Sequence, residues 1–153
     1  IGGLSAGLTA IVALLHDVLI SFCVFVVFGM PINDIFIAVV LTILGYSLNS
    51  TIVIYDRVRE NKRKFGSKTA LNTIMNQSLS QTLGRTLLTS LTTFLALVAV
   101  LAVAGIYSIP SVISFSLPMM VGVVAGCFSS QFIAPTLFAA WQNHVQAKEK
   151  SNS

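Results

Sequence analysis

The chain has 153 residues, of which 55% are hydrophobic and 9% carry a charged side chain, and its formal net charge is +4. A soluble domain carries about 25% charged residues, so this chain has too few to cover a surface that faces water. The composition excludes an ordinary soluble domain and indicates an integral membrane protein.

Four apolar runs are long enough to cross a bilayer, which takes roughly 20 residues. All four are predicted to be helices, because a lone strand cannot satisfy its backbone hydrogen bonds in lipid. The predicted spans cover residues 3–29, 33–56, 86–106 and 112–141, and a polar tail follows at 142–153. Asn33 or Asp34 is expected to cap the second span. The predicted fold class is an all-α transmembrane domain.

The segment between the second and third spans, residues 67–84, is predicted to be more than a linker. Its apolar side chains recur at helical spacing, with amides and hydroxyls between them. This pattern indicates an amphipathic helix along the cytoplasmic interface, or a docking face for a partner. The apolar positions include Ala70, Leu71, Ile74, Met75, Leu79 and Leu83.

Basic residues are distributed unevenly along the chain. Six of the nine lie between residues 57 and 68, two lie in the tail, and the loops at 29–34 and 105–111 contain none. The positive-inside rule therefore predicts that both termini and the 57–84 loop are cytoplasmic. We interpret the basic run through this topology and through contact with anionic membrane lipid, not through nucleic-acid binding.

Small residues at four-residue spacing predict close contacts between helices. Gly3 and Gly7 form one such pair in the first span. Gly122, Gly126 and Ser130 form a longer stripe in the fourth.

Polar side chains inside the spans are the candidate functional residues, because they are costly in lipid. His16 and Asp17 lie at the centre of the first span, where the carboxyl could relay protons or clamp helices together. The two roles remain alternatives.

The second span carries a polar face that includes Asn49, Ser50 and Asp56. We expect this face to line a polar seam against the antiparallel third span. Arg85 is expected to pair with Asp56 or to reach toward Asn49, and snorkelling to lipid headgroups is the alternative.

Catalytic and metal-binding motifs are absent from the sequence, which has no nucleophile elbow, P-loop or cluster of metal ligands. Cys23 and Cys127 lie inside apolar runs and are expected to be inert. The sequence therefore predicts no enzymatic activity and no cofactor.

Three stretches carry a family resemblance: "ALLHDVLI", "TILGYSLNSTIVIYDRVREN" and "SLSQTLGRTLLTSLTT". In order and spacing they resemble the SecF family of bacterial protein-export subunits, and the resemblance continues through "SFSLPMMVGVVAGCFSS". That family has six membrane helices and a large external domain between the first two. The resemblance implies that the chain corresponds to the third to sixth helices, half of a resistance-nodulation-division type membrane domain, with the N-terminal part of the parent protein absent.

The resemblance also implies a function in the bacterial cytoplasmic membrane. Members assist polypeptide translocation with the proton gradient, so the implied partners are SecD, the SecYEG channel, the translocating polypeptide and membrane lipid. The alternatives are a resistance-nodulation-division type exporter of small molecules or lipids, and a structural scaffold subunit.

The family motifs differ from this chain at one position. The family's "HD" pair corresponds to His16 and Asp17, and the Arg of its "RT" motif corresponds to Arg85. Where the family has the acid of "SLND", its proposed proton carrier, this chain has Ser50. A serine cannot take up and release a proton near neutral pH, so the proton-carrying role that the resemblance implies at this position does not transfer to Ser50.

Overall fold

The computed structural model describes residues 2–66 and 68–151, which form α-helices and one π-helical segment. The helices are α1 (Gly2–Val27), α2 (Asp34–Phe65), α3 (Leu71–Ile106), α4 (Pro110–Phe128) and α5 (Ala134–Ser151). The π-segment (Ser129–Ile133) joins α4 directly to α5. Four helical units, with α4, the π-segment and α5 as one of them, are long and apolar enough to cross a membrane. The predicted all-α membrane fold is confirmed.

The helices pack as a bundle around a central pair. α2 and α4 contact each other, and each also contacts both α1 and α3. α1 and α3 therefore lie on opposite sides of the central pair, while α5 continues along α1.

Two apolar clusters fill the bundle at different depths. The first joins α1, α2 and α4, and the second joins α2, α3 and α5. Between them α2 contributes buried hydroxyls, so a polar layer separates the two clusters. The first cluster comprises Phe25, Val39, Ile43, Met119 and Val123, and the second Ile54, Val58, Ile74, Met75 and Phe138.

α2 begins at a side-chain cap and continues past the predicted end of the span. Asn33 is the N-cap, and its side chain accepts a hydrogen bond from the backbone N–H of Ile35 at 3.0 Å. The helix runs to Phe65 instead of ending at residue 56. Glu60 pairs with Arg57 and Lys64 at helical spacing, which stabilises this charged extension.

The predicted interfacial helix at 67–84 is not a separate element. Residues 71–84 are the first part of α3, which continues unbroken to Ile106. Ile74 and Met75 pack against α2 and α5, because the α2 extension offers them an apolar face. Residue 67 lies outside the described residues.

The π-segment lies just before a proline. Pro135 has no N–H to bond the carbonyl of Gln131, and its ring would clash with that carbonyl in a regular helix. Widening to π geometry relieves the clash, and the N–H of Ala134 bonds the carbonyl of Ser129, five residues earlier. Beyond it, the predicted polar tail is helical to Ser151, and residues 152 and 153 lie outside the described part of the chain.

Candidate functional site

Asp17 is completely buried where α1, α2 and the π-segment meet. Its Oδ2 accepts hydrogen bonds from the hydroxyls of Ser47, at 2.5 Å, and Ser129, at 2.9 Å. Its Oδ1 lies 3.2 Å from Nδ1 of the partly exposed His16. The carboxyl thus joins three segments of the chain, and the imidazole beside it extends toward the surface of the bundle.

This site forms because α1 presents small and polar side chains along one buried face. Every fourth residue on this face is buried, and apart from Asp17 each has a small side chain, which allows neighbouring helices to approach closely. The hydroxyl of Ser21 donates to the backbone carbonyl of Asp17 at 2.8 Å. The face comprises Ser5, Thr9, Ala13, Asp17 and Ser21.

The glycines of α4 bring Ser129 within reach of the carboxyl. A Cβ added at Gly122 would lie 2.6 Å from Cγ1 of Ile43, and one at Gly126 would lie 3.3 Å from the ring of Tyr46. α4 and α2 can pack this closely only because both positions are glycine. Ser130 is also buried, and its hydroxyl donates a hydrogen bond to the backbone carbonyl of Cys127, one turn earlier.

The other predicted glycine pair has a different environment. No heavy atom lies within 4 Å of a Cβ added at Gly3 or Gly7, and both residues are exposed. Within the described residues, this pair therefore makes no close helix contact.

A second polar cluster lies nearer the N-terminal end of α1 than Asp17 does. The hydroxyl of Tyr55 lies 2.6 Å from that of Thr9 and donates to the backbone carbonyl of Ala134 at 3.1 Å. Farther along, the side-chain amide of Gln142 donates to the hydroxyl of Ser5 at 2.9 Å. These contacts join α1 to α2 and α5.

The predicted seam closed by Asp56 and Arg85 is not formed in the described part of the chain. Asn49, Asp56 and Arg85 are exposed, and no hydrogen bond or ion pair joins them. Ser50 donates its hydroxyl to the backbone carbonyl of Tyr46, within its own helix.

The register between α2 and α3 explains why Asp56 and Arg85 do not meet. The hydroxyls of Tyr46 and Ser90 are hydrogen bonded, which aligns the two helices at that level. Asp56 lies ten residues from Tyr46, about 15 Å, whereas Arg85 lies five residues from Ser90, about 7.5 Å. The two charged groups therefore differ in depth by about 7.5 Å.

Other side chains join the C-terminal part of α2 to the N-terminal part of α3. The amide of Asn61 donates to Ser78 at 2.8 Å and to Gln81 at 2.9 Å, and Arg57 donates to Gln81 at 2.7 Å. Asn61 is buried there, although the sequence places it in a charged run.

Sequence reasoning missed Ser47 and Ser129 as partners of Asp17, and Tyr55 as a member of the second polar cluster. Ser47 shares the buried face of α2 with Ile43 and Thr51, and Ser129 follows Gly126 by three residues. These spacings are the signals that the sequence offers for the two serines. A single serine in a helix, considered without its neighbours, predicts no particular partner. Among the described residues, no three of His, Cys, Asp or Glu are grouped to hold a metal ion.

Comparisons with known proteins place the chain in a family. The model of the family "Protein export membrane protein SecD/SecF, C-terminal" matches residues 4–144. Protein translocase subunit SecF of Sebaldella termitidis is 42% identical over 130 residues, which cover 85% of this chain and 41% of that protein. Protein translocase subunit SecDF of Brucella abortus is 48% identical over 130 residues, 85% of this chain and 16% of that protein.

A solved structure shares the fold. The crystal structure of SecDF in the super-membrane-facing form matches with a TM-score of 0.88 and 36% identity, over 97% of this chain and 20% of that one. The chain spans less than half the length of each of these relatives. Because the family model covers nearly the whole chain, the chain belongs to the SecD/SecF C-terminal family of protein export membrane proteins.

Proposed function

We propose that the chain is part of an auxiliary subunit of the bacterial Sec protein-export machinery. In this role it assists polypeptide translocation across the cytoplasmic membrane with the proton gradient, together with SecD and SecYEG, and it catalyses no reaction of its own. The observation that carries the proposal is the family match over residues 4–144, with relatives named protein translocase subunits.

The outer surface of α2 and α3 supports a partner inside the membrane. Asn49, Arg85 and Thr92 are exposed on these helices, and the Arg85 guanidinium makes no hydrogen bond or ion pair within the described residues. Arg85 lies only about 7.5 Å from the Tyr46–Ser90 bond in the middle of the spans. An unpaired charge at that depth is costly in lipid. We propose that SecD covers this face, as the single-chain relative named SecDF suggests.

Proton coupling through Ser50 is chemically excluded, because its hydroxyl does not titrate near neutral pH. We therefore propose that coupling in this protein runs through Asp17 or through an acid of SecD. Asp17 has the required chemistry: a buried carboxyl with two hydroxyl donors and an imidazole within 3.2 Å.

The proposed orientation has both termini and the 57–84 region in the cytoplasm. Cysteines introduced at Lys68 and Ser108, after Cys23 and Cys127 are replaced by alanine, should label from opposite sides, with position 68 labelled from the cytoplasm. Labelling of both positions from one side would contradict this orientation.

Export measurements in cells test the proposal. Depletion of the protein that carries this chain should cause unprocessed exported precursors to accumulate, and the parent gene should restore processing. Arg85→Ala should restore it poorly, whereas Arg63→Ala, an exposed arginine on the α2 extension, should restore it fully.

The same cells distinguish the alternatives. Normal precursor processing with altered susceptibility to toxic small molecules would favour an exporter of the resistance-nodulation-division type. Processing that depends on the protein but is insensitive to an uncoupler would favour a scaffold subunit.

A further inference from the structure

A cavity opens between α1, α2 and α5, at the level where the apolar stretch of α2 ends. Its volume is about 510 Å³, within the range of about 300–1,000 Å³ that is typical of ligand sites. Ile52 and Phe138 give it apolar walls, while Arg59 and Lys62 line it farther along α2. Ile52 and Lys62 are ten residues apart, about 15 Å along the helix. The lining therefore changes from apolar to basic along α2.

Arg59 and Lys62 are available to bind an anion. Neither has a hydrogen bond or an ion pair with another described residue, whereas their neighbours Arg57 and Lys64 both pair with Glu60. Arg59 and Lys62 lie three residues apart, so they share one face of α2. Arginine and lysine donate strong, charge-assisted hydrogen bonds to phosphate oxygens. The basic end of the cavity therefore fits a phosphate group.

Asp56 limits where an anion can lie in the cavity. Its carboxylate also lines the wall, three residues, about 4.5 Å, nearer to the apolar end than Arg59. A phosphate at the depth of Asp56 would be repelled, whereas a phosphate beside Arg59 and Lys62 is attracted by two cations. The anionic part of a ligand is therefore confined to the basic end, and an apolar part fits against Ile52 and Phe138.

A second cavity extends the site away from the apolar walls. It has a volume of about 710 Å³, and Lys62 and Leu71 line both cavities. Lys68 and the side-chain amides of Asn72 and Gln146 also line it. Ammonium and amide groups donate hydrogen bonds to hydroxyl and phosphate oxygens. The second cavity thus offers space and donors for a polar headgroup next to Lys62.

The position of the site along α2 indicates a membrane lipid. The apolar run of α2 ends at Tyr55, and most residues from Asp56 to Lys64 are charged. Arg59 and Lys62 therefore lie about one and two turns beyond the apolar run, at the depth of the lipid headgroups. A soluble anion would leave the apolar walls uncovered, whereas an acyl chain covers them.

The glycine at position 3 leaves this cavity open. Gly3 lines the cavity, and no heavy atom lies within 4 Å of a Cβ added to it. Gly7 has equally open surroundings but is not among the residues that line the cavity. A large side chain at position 3 would therefore fill the cavity, whereas the same side chain at position 7 would not.

We propose that the two cavities together bind one anionic phospholipid. An acyl chain lies against the apolar walls, the phosphate lies beside Arg59 and Lys62, and the headgroup extends toward Lys68. Of the six basic residues between positions 57 and 68, the site uses only these three. It is therefore a defined binding site, more specific than the general attraction of a basic segment to an anionic membrane.

Occupancy is measured by photo-crosslinking in lipid nanodiscs, with the full-length protein that carries this chain. The probe is phosphatidylglycerol with a diazirine on one acyl chain, and the matched control probe has the same chain on phosphatidylcholine. Mass spectrometry maps the labelled residues. Phosphatidylglycerol should label Ile52 or Phe138 about fivefold more than phosphatidylcholine does. Equal labelling by the two probes, or labelling of lipid-facing residues such as Leu19 without the cavity, would overturn the proposal.

The basic end is tested with two variants that lose the same charge. Arg59→Gln/Lys62→Gln should lower phosphatidylglycerol labelling of the cavity by about tenfold, since each basic residue near an anionic lipid contributes roughly fivefold. Arg63→Gln/Lys64→Gln removes one arginine and one lysine outside the cavities and should keep most of the labelling. Asp56→Asn should increase labelling. Equal losses in the two double variants would show a general attraction to the membrane and overturn the site.

The apolar end is tested without a change of charge. Gly3→Phe should displace the acyl chain and lower labelling of the cavity, whereas Gly7→Phe should leave it unchanged. Equal labelling in these two variants and the parent would overturn the placement of the chain. If Gly3→Phe misfolds, the exposed charge variants still decide the proposal.

Competition distinguishes a lipid from a free phosphate. Dihexanoyl phosphatidylglycerol should compete with the probe, whereas glycerol 3-phosphate at the same concentration should not. Equal competition by glycerol 3-phosphate would identify a site for soluble phosphates and overturn the lipid assignment. None of these measurements depends on export, so the lipid site and the proposed function can fail separately.

Discussion

Two buried serines offer a matched test of the Asp17 site. Ser47 and Ser116 are both fully buried in helices of the bundle. The hydroxyl of Ser47 donates to the Asp17 carboxyl at 2.5 Å, whereas that of Ser116 has no partner among the described residues. Serine to alanine removes the same single oxygen at each position, so the two substitutions differ mainly in the hydrogen bond that is lost.

The expected effects have opposite signs. A hydrogen bond to a charged group contributes about 1.5–3 kcal/mol in soluble proteins, but interhelical bonds in membranes average about 0.6 kcal/mol with a maximum near 1.7. Because the Asp17 carboxyl is fully enclosed, we expect Ser47→Ala to lower the free energy of unfolding by about 1–2 kcal/mol. Ser116→Ala removes a buried unpaired hydroxyl and should be neutral or stabilising by about 1 kcal/mol.

Steric trapping in bicelles measures the free energy of unfolding of both variants against the parent. Ser129→Ala and the double variant Ser47→Ala/Ser129→Ala complete a double-mutant cycle. The free energy of unfolding of the double variant should fall by more than the sum of the two single losses, since His16 is then the only remaining side-chain partner of Asp17 among the described residues. Equal changes of the same sign in the free energy of unfolding of Ser47→Ala and Ser116→Ala would refute the assignment of Asp17 as the centre of the polar layer.

Further predictions concern packing and the carboxyl itself. Gly122→Ala should destabilise the bundle by about 1–3 kcal/mol because the added methyl overlaps Ile43, whereas Gly45→Ala, with open space around it, should be neutral or stabilising in the same unfolding assay. If both glycine variants are equally stable, α4 does not approach α2 as closely as described. Asp17→Asn should keep the fold, because serine hydroxyls can rotate to accept from the amide, and should lower the rate of precursor export. Normal export with normal stability would exclude both the relay and the clamp.

The spans were predictable because lipid imposes a strong constraint on composition. A stretch of about 20 apolar residues has few alternatives to a spanning helix. The cap at Asn33 was predictable for a similar reason, since its side chain acts within its own turn. Contact with lipid decides where the spans lie, and a hydrogen bond within one turn decides the cap.

The first part of α3 was expected to be a separate interfacial helix, because periodicity reveals an apolar face but not what covers it. Ile74 and Met75 fit a membrane interface as well as they fit the α2 extension. Their partner Val58 lies in a charged run of the sequence, where a packing surface is hard to recognise. The choice depended on α2 continuing as a helix to Phe65.

The polar layer was only partly predictable because its members are common residues. Asp17 stands out in an apolar span, and the sequence identifies it as a candidate without its partners. Ser47 and Ser129 become significant only when two helix crossings bring their hydroxyls to one carboxyl. The depth of Arg85 depends on the Tyr46–Ser90 register, which no local pattern encodes.

That register bears on position 50, where the family resemblance implies an acid and this chain has serine. Ser50 lies four residues from Tyr46, about 6 Å, and Arg85 lies five residues from Ser90, about 7.5 Å in the same direction. Ser50 and Arg85 are therefore level to within about 2 Å on neighbouring helices, which Asp56 and Arg85 are not. An acid at position 50 would have its charged form favoured by Arg85 and could exchange that partner as it titrates.

Ser50→Asp should accordingly make export more sensitive to an uncoupler than it is in the parent protein. In the double variant Ser50→Asp/Arg85→Ala this increase in uncoupler sensitivity should disappear, because the introduced acid no longer has a cation at its own depth. Ser50→Asn is the matched control, since it has nearly the same size and cannot titrate. Export rate is measured with and without uncoupler in the parent, the three single variants and the double variant. A parent already as sensitive as Ser50→Asp would show that the proton path does not need an acid at this position, and an equal gain from Ser50→Asn would show that the effect is not titration.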